Sequence, residues 1–365
     1  MTHPTADRLA RLRTSMAAEG VDLVAVAPGS HMDWLIGFHP HPDERPCLLI
    51  VGPAREAFLM PVLNAEGTRE STDIAFHSWS DDVGPNEALA AALDDVGATQ
   101  AKSIVLDETM RADFALLVLG ALPDAKHAFT ERTLGRLRMV KDEREFAKLR
   151  MNAAIADRAM QTAFAAIRPG MTEKQVAQIV RDHFASEGAT PAFWIVGAGS
   201  NGAFPHHQTG ERKLAEGDAI VIDIGGRKEG FPSDITRMAV VGEPPEGYGQ
   251  IHSIVEKAVQ AALKASRPGV LAKEVDAAAR RVIADAGYGE YFVHRTGHGL
   301  GIDGHEPPYI TATGETVLEE GMVFSIEPGI YIPGRFGIRL EEIVILRADG
   351  PEILSTLPRD LFVAR

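Results

Sequence analysis

The chain has 365 residues, 45% of them hydrophobic, and carries a formal net charge of -14. That length favours two domains over one, and the composition excludes a disordered or fibrous protein. The negative balance argues against a nucleic-acid partner, because duplex binding needs a basic face that releases counterions.

The N-terminal stretch lacks a signal-type apolar core, since Asp7, Arg8, Arg11 and Arg13 interrupt it. Leu9, Leu12 and Met16 mark one face of a helix that stops at Gly20. Short strands are expected at Val21–Ala27, Cys47–Val51, Ala57–Met60 and Ser103–Leu106, with helices at Ala88–Leu93 and Asp113–Leu119. Trp34 and the loop bearing His39, His41 and Asp43 fall between them, and the prolines there favour a stiff surface loop over a metal site. Cys47 is the single cysteine, so no internal disulfide can form and a reducing cytoplasm is the expected location. The apolar run Phe114–Leu122 is far shorter than the roughly 20 residues of a bilayer span, so no membrane partner is expected.

A domain junction is expected at 135/136, giving an α/β domain over residues 1–135 and a second domain over 136–365. Asp142 with Glu145 forms a capping box for a long helix whose apolar face runs from Phe146 to Ile167. Gly170 ends it, and Thr172 with Gln175 caps the next. A shift of 99 residues lays Arg168-Pro169-Gly170 on Arg267-Pro268-Gly269 and Gly188 on Gly287, which predicts an internal repeat of helix, break, helix. Shared helix-forming composition is the competing explanation. Strands are expected at Ala219–Ile224, Arg237–Val241, Met322–Ile326 and Ile338–Leu346.

Asp223 ends the apolar run Ile220-Val221-Ile222, and Asp234 follows 11 residues later across glycine-rich turns. A hairpin brings two such carboxylates together, although each Asp alone reads equally well as a turn or capping residue. His298 lies in Thr296-Gly-His-Gly-Leu-Gly301, Glu327 before Pro328-Gly329, and Glu341 inside the strand-like Gly337–Val344. A buried carboxylate needs a partner or a metal. Four carboxylates and one imidazole suit divalent ions of intermediate hardness.

The ordered motifs Val-Ile-Asp-Ile-Gly-Gly, Ser-Asp-Ile-Thr-Arg, Thr-Gly-His-Gly-Leu-Gly, Ile-Glu-Pro-Gly-Ile-Tyr and Arg-Leu-Glu-Glu resemble those of the creatinase/methionine-aminopeptidase superfamily, whose members include prolidase and aminopeptidase P. The resemblance implies an α/β creatinase-like N-terminal domain and an α+β pita-bread catalytic domain with an internal pseudo-twofold. It implies two divalent ions, manganese first, with cobalt, zinc or iron as alternatives, held by Asp223, Asp234, His298, Glu327 and Glu341. A metal-bridging hydroxide would hydrolyse the Xaa-Pro bond of dipeptides or short peptides, with Glu327 as proton shuttle and His206 and His305 as catalytic histidines. His294, Arg339 and Tyr309 stand at substrate-side positions. Several prolidases carry an Arg where Tyr309 stands, to hold the prolyl carboxylate, and Arg339 is the expected substitute. The same resemblance implies a cytoplasmic homodimer in which Trp34 or His39 closes the neighbouring subunit's pocket. The alternative is a small-molecule enzyme on this fold: an ectoine hydrolase, a creatinase-like hydrolase or a sulfonium lyase.

Overall fold

In a computed structural model, described over residues 4–364, the chain divides into two compact units that meet between Arg138 and Met139. The break falls within a short helix, Leu134–Met139, that the expected 135/136 junction would cut.

The first unit is built on a six-stranded mixed sheet. Its strands are β1 (Leu23–Val26), β2 (Leu48–Val51), β3 (Glu56–Pro61), β4 (Ala75–Trp79), β5 (Ser103–Leu106) and β6 (Lys126–Phe129), in the order β4-β3-β2-β1-β5-β6. Alternate residues Leu23, Ala25, Leu48, Ile50 and Leu59 pack beneath Leu89 and Leu93 of the helix Asn86–Asp95, and Phe114 and Val118 of Ala112–Ala121. That is the two-residue period of a pleated strand meeting the face of a helix. Trp34 lies on the helix Ser30–Ile36, 2% exposed, with the Arg8 guanidinium over its ring. His39, His41 and Asp43 lie on an irregular loop, where His39 faces Asp33 at 3.5 Å.

The second unit repeats one design twice. The helices Glu143–Ala166 and Glu173–Ser186 precede β7 (Thr190–Ala198), β8 (Ala219–Lys228), β9 (Phe231–Pro232) and β10 (Ile235–Val241). The helices Tyr248–Ala265 and Ala272–Asp285 precede β11 (Gly297–Gly299), β12 (Glu306–Ile310), β13 (Val323–Ile326), β14 (Gly329–Ile332), β15 (Phe336–Arg339), β16 (Glu342–Arg347) and β17 (Gly350–Ile353). The last strand, β18 (Phe362–Ala364), joins the first sheet beside β10. The helix breaks match in detail. Gly170 and Gly269 adopt φ of 85° and 89°, and each donates its N–H at 2.8 Å, to Leu214 and Leu318 respectively. The guanidiniums of Arg168 and Arg267 close back on the preceding carbonyls at 2.6 and 2.7 Å. Each helix pair packs on its own sheet with its own core, so the repeat extends to packing.

Ile338–Leu346, expected as one strand, is two. The chain changes sheets at Leu340-Glu341, since β15 pairs with β14 whereas β16 pairs with β13 and β17, and at the break the Arg237 guanidinium donates to the Glu341 carbonyl. Arg237 is itself fully buried and reaches Glu342 at 3.0 Å and the Leu357 carbonyl at 2.7 Å. Among the described residues, no helix is long and apolar enough to cross a membrane.

The longest helix starts from a complete capping box. The Asp142 carboxylate accepts from the N–H groups of Arg144 and Glu145, and Glu145 accepts from the Asp142 N–H. Asp142→Ala is expected to cost about 1 kcal/mol. Urea unfolding checks it, and an unshifted midpoint contradicts it.

Candidate metal centre

The site forms on one face of the β8–β10 hairpin. On the opposite face Ile220, Ile222, Ile224, Ile235 and Ala239 pack against the first helix pair. The strand period therefore turns Val221, Asp223 and Gly225 the other way. In register, Asp223 lies between Ile195 of β7 and Thr236 of β10. Asp234, two residues before Thr236, shares that face. The charge at the end of an apolar run is thus a side chain directed away from the helices.

The second sheet supplies the remainder. His298 sits on β11 and Glu327 follows β13, and the Glu327 N–H donates to the Thr296 carbonyl at 2.8 Å. Ser325 Oγ accepts from the His298 N–H at 2.9 Å and donates to Glu327 Oε1 at 3.0 Å. Gly297 and Gly299 flank the histidine where a Cβ would strike the backbone of Ser325 and of Glu306-Pro307. Only glycine permits that approach. Glu341, in the gap between β15 and β16, accepts from Thr236 Oγ1 at 2.8 Å.

The structure brings the five side chains together. Donor atoms of Asp223, Asp234 and Glu341 lie within 4.8 Å of one another, as do those of His298, Glu327 and Glu341. His298 Nε2 is 3.2 Å from Glu327 Oε1 and 3.7 Å from Asp234 Oδ2. Its Nδ1 faces the Gly299 carbonyl at 3.1 Å. A carbonyl only accepts, so Nδ1 carries a proton and points away from the cluster, leaving Nε2 to face the carboxylates.

This donor set fits divalent cations. Asp223 Oδ1 and Glu341 Oε1 are buried with no hydrogen-bond partner, a costly arrangement for carboxylate oxygens. Burial and mutual repulsion push Asp223, Asp234 and Glu341 above the ordinary carboxylate range. Burial acts on Glu327 in the same direction, but His298 outweighs it and holds that carboxyl near 2. Cations among these oxygens remove the repulsion and occupy the unpaired atoms.

The other expected site residues surround a cavity of about 680 Å³, lined by His206, His294, His305 and Arg339 together with Phe193, Ile195, Pro205 and Arg295. His206 is exposed on the wall. The His305 ring lies 3.8 Å from that of His298, and burial lowers its pKa to about 4. His294 is likewise lowered to about 4 by burial; its Nδ1 donates to the Arg295 carbonyl at 2.7 Å and its Nε2 accepts from the Tyr331 hydroxyl at 2.8 Å. Arg339 is 2% exposed and already engaged, with Asp223, with Tyr331 Oη at 2.7 Å and with Thr236 Oγ1 at 3.2 Å. Tyr309 is 39% exposed and lies beneath the Arg295 guanidinium, outside the cavity lining.

Thr236, Ser325, Tyr331 and Arg295 escaped the sequence reading. Thr236 had a signal, since it lies two residues past Asp234 on the same strand face. Tyr331 had a weaker one, a hydroxyl at the end of Gly329-Ile330-Tyr331.

Residues 147–348 match metallopeptidase family M24, and residues 8–140 match the creatinase/prolidase N-terminal domain. The chain belongs to metallopeptidase family M24. A probable dipeptidase, PepE, of Mycobacterium tuberculosis (strain ATCC 25618 / H37Rv) is 40% identical over 98% of this chain and 96% of that protein. An Xaa-Pro dipeptidase of Lactobacillus delbrueckii subsp. lactis is 35% identical over 97% and 98%. The crystal structure of dipeptidase PepE from Mycobacterium ulcerans superposes with a TM-score of 0.94 at 39% identity, covering 99% of this chain and 98% of that one. The protein is thus an M24 metallopeptidase with the creatinase-type N-terminal domain, and the family implies divalent metal ions.

Tyr331→Phe deletes the hydroxyl that joins Arg339 to His294. It is expected to cost about 1–3 kcal/mol, because a buried donor and a buried acceptor both lose their partner. Chemical denaturation measures it, and an unchanged stability contradicts the linking role.

Proposed function

We propose that the protein hydrolyses the bond between the first residue and proline in dipeptides and short peptides, using two divalent ions held by Asp223, Asp234, His298, Glu327 and Glu341. The observation that carries this reading is the convergence of five donors, two with unpaired buried oxygens: Asp223, Asp234, His298 and Glu327 line a cavity of peptide size, and Glu341 lies beside them. The names of the full-length relatives support the substrate class. The ectoine, creatine and sulfonium alternatives find no counterpart among these relatives.

Asp223 would serve one ion, His298 and Glu327 the other, with Asp234 and Glu341 between them. Manganese is the first choice, then cobalt, zinc or iron. When bound, the ions supply Lewis acidity toward water and toward a carbonyl oxygen. Glu327, one oxygen steadied by Ser325, takes the proton of the attacking water and passes it to the departing nitrogen. That nitrogen needs it, since proline leaves as a secondary amine. His305 accepts at Nδ1 from Arg295, so its proton lies on Nε2 and can stabilise the developing oxyanion. His206, on the same wall, contacts the leaving group. Phe193 and Ile195 give the rigid pyrrolidine ring an apolar surface. A homodimer in the cytoplasm completes the reading, supported by the family resemblance and by the single buried cysteine.

Removing metal with a chelator is expected to abolish activity and lower the melting temperature, because the carboxylates then repel and the ions' binding free energy is lost. Full turnover by protein shown to be metal-free would overturn the mechanism. His206→Ala and His305→Ala should each lower kcat by roughly a hundredfold with metal content retained. Asp223→Ala and Glu341→Ala should lose metal instead, and the reverse pattern would exchange these roles.

Initial rates on Met-Pro, Met-Ala, Met-Pro-Ala, creatine, ectoine and a sulfonium propionate, with manganese, cobalt and zinc separately, test the substrate class. Cleavage is expected for the proline peptides. Turnover of only a non-peptide compound would sink the proposal.

A further inference from the structure

The arginines around the cavity differ in what they hold. Arg339 is committed to Asp223, Thr236 and Tyr331. Arg280 grips Asp276 through two nitrogens at 3.0 and 2.9 Å. Arg295 has no such anchor. Its guanidinium lies over the Tyr309 ring, 4.7 Å from the centroid, and Nη2 donates to His305 Nδ1 at 3.0 Å. Neither partner is an anion, and among the described residues no carboxylate lies within ion-pairing distance of it. The side chain is half-buried and lines the same cavity as His206 and His305.

A guanidinium has five N–H donors in a planar fork, and this one uses a single donor on His305. The remaining donors match a carboxylate, which accepts two parallel bonds from such a fork. Position agrees with this. One residue of extended chain spans at most about 3.3–3.6 Å. The free carboxylate of a dipeptide therefore ends only a few ångströms beyond its scissile carbonyl. Arg295 stands one hydrogen bond behind His305, whose ring packs on that of His298. Tyr309 serves as a platform that limits the fork's motion before substrate arrives.

We propose that Arg295, held between Tyr309 and His305, binds the free C-terminal carboxylate of the substrate and so gives the enzyme its preference for dipeptides. This assigns to Arg295 the role expected of Arg339, and it rests on the Xaa-Pro reading above. Longer peptides and C-terminal amides present no carboxylate at that distance and lose the contact.

The test compares Met-Pro with Met-Pro-amide in the manganese enzyme, with calorimetric binding of proline and prolinamide as a second arm. The wild type is expected to prefer the acid in kcat/KM by roughly ten- to hundredfold, the scale of a charge-assisted hydrogen bond. Arg295→Ala should remove most of that preference by raising KM for Met-Pro but not for the amide, while kcat falls alike on both because His305 loses its Nδ1 donor; metal content and melting temperature stay near wild type. Arg295→Lys, which keeps the charge without the fork, should fall between them. Equal losses of kcat/KM on both substrates in the Ala variant would overturn the proposal, because Arg295 would then act only through His305. An undiminished acid preference in that variant would overturn it as well. Should the wild type cleave neither substrate, the Xaa-Pro reading fails and the binding arm decides separately. Proline bound more tightly than prolinamide by wild type, but not by Arg295→Ala, supports the carboxylate site, and equal affinities reject it.

Discussion

Four carboxylates share one small buried volume with one imidazole, and the architecture around them has to keep them there against their own repulsion. Bringing like charges together in a low-dielectric interior is unfavourable by several kcal/mol before any cation arrives. The protein opposes it locally with neutral donors and one cation. Thr236 takes one oxygen of Glu341, Ser325 one of Glu327, and Arg339 one of Asp223. The oxygens left over are those turned toward the middle. Stability and metal affinity are therefore coupled, since every unpaired atom weakens the empty fold and strengthens the grip on an ion.

The internal repeat explains how one chain holds such a cluster rigidly. Each half offers a sheet with one face sealed by its helix pair, and the site is assembled from the unsealed faces and strand ends. Asp223 and Asp234 come from the first sheet, His298 and Glu327 from the second, and Glu341 from the interruption between β15 and β16. At the interruption Arg237 is buried and bonded to the Glu341 carbonyl and to Glu342. A structural arginine in one half thus bonds to the backbone of a candidate ligand in the other.

Much of this was legible in the sequence. The two capping boxes, the strand Ser103–Leu106 and the Arg-Pro-Gly repeat follow from local rules, and the structure has them at those residues. Other elements lacked a readable period. β7 begins Thr190-Pro191 and shifts register between Pro191 and Phe193, so its apolar run has no clean alternation. β6 is exposed throughout and has no buried face to announce it. The split at Glu341 follows a change of strand partners, from β14 to β13 and β17, which no local pattern encodes. The site residues that carried a charge inside an apolar run were visible. Arg295 was not, because an arginine beside a histidine looks like any surface pair until its partners are known.

The glycines at 297 and 299 also bear on how such an enzyme changes over evolutionary time. A side chain at either position would collide with backbone, which cannot move aside as a flexible side chain can. The floor under His298 is therefore closed to substitution, whatever substrate selection favours. Variation is left to the rim, where Phe193, Ile195, Arg295 and the exposed Tyr309 have room to be exchanged. Descendants of this chain would diverge in which peptides they accept long before they diverge in how they cut them.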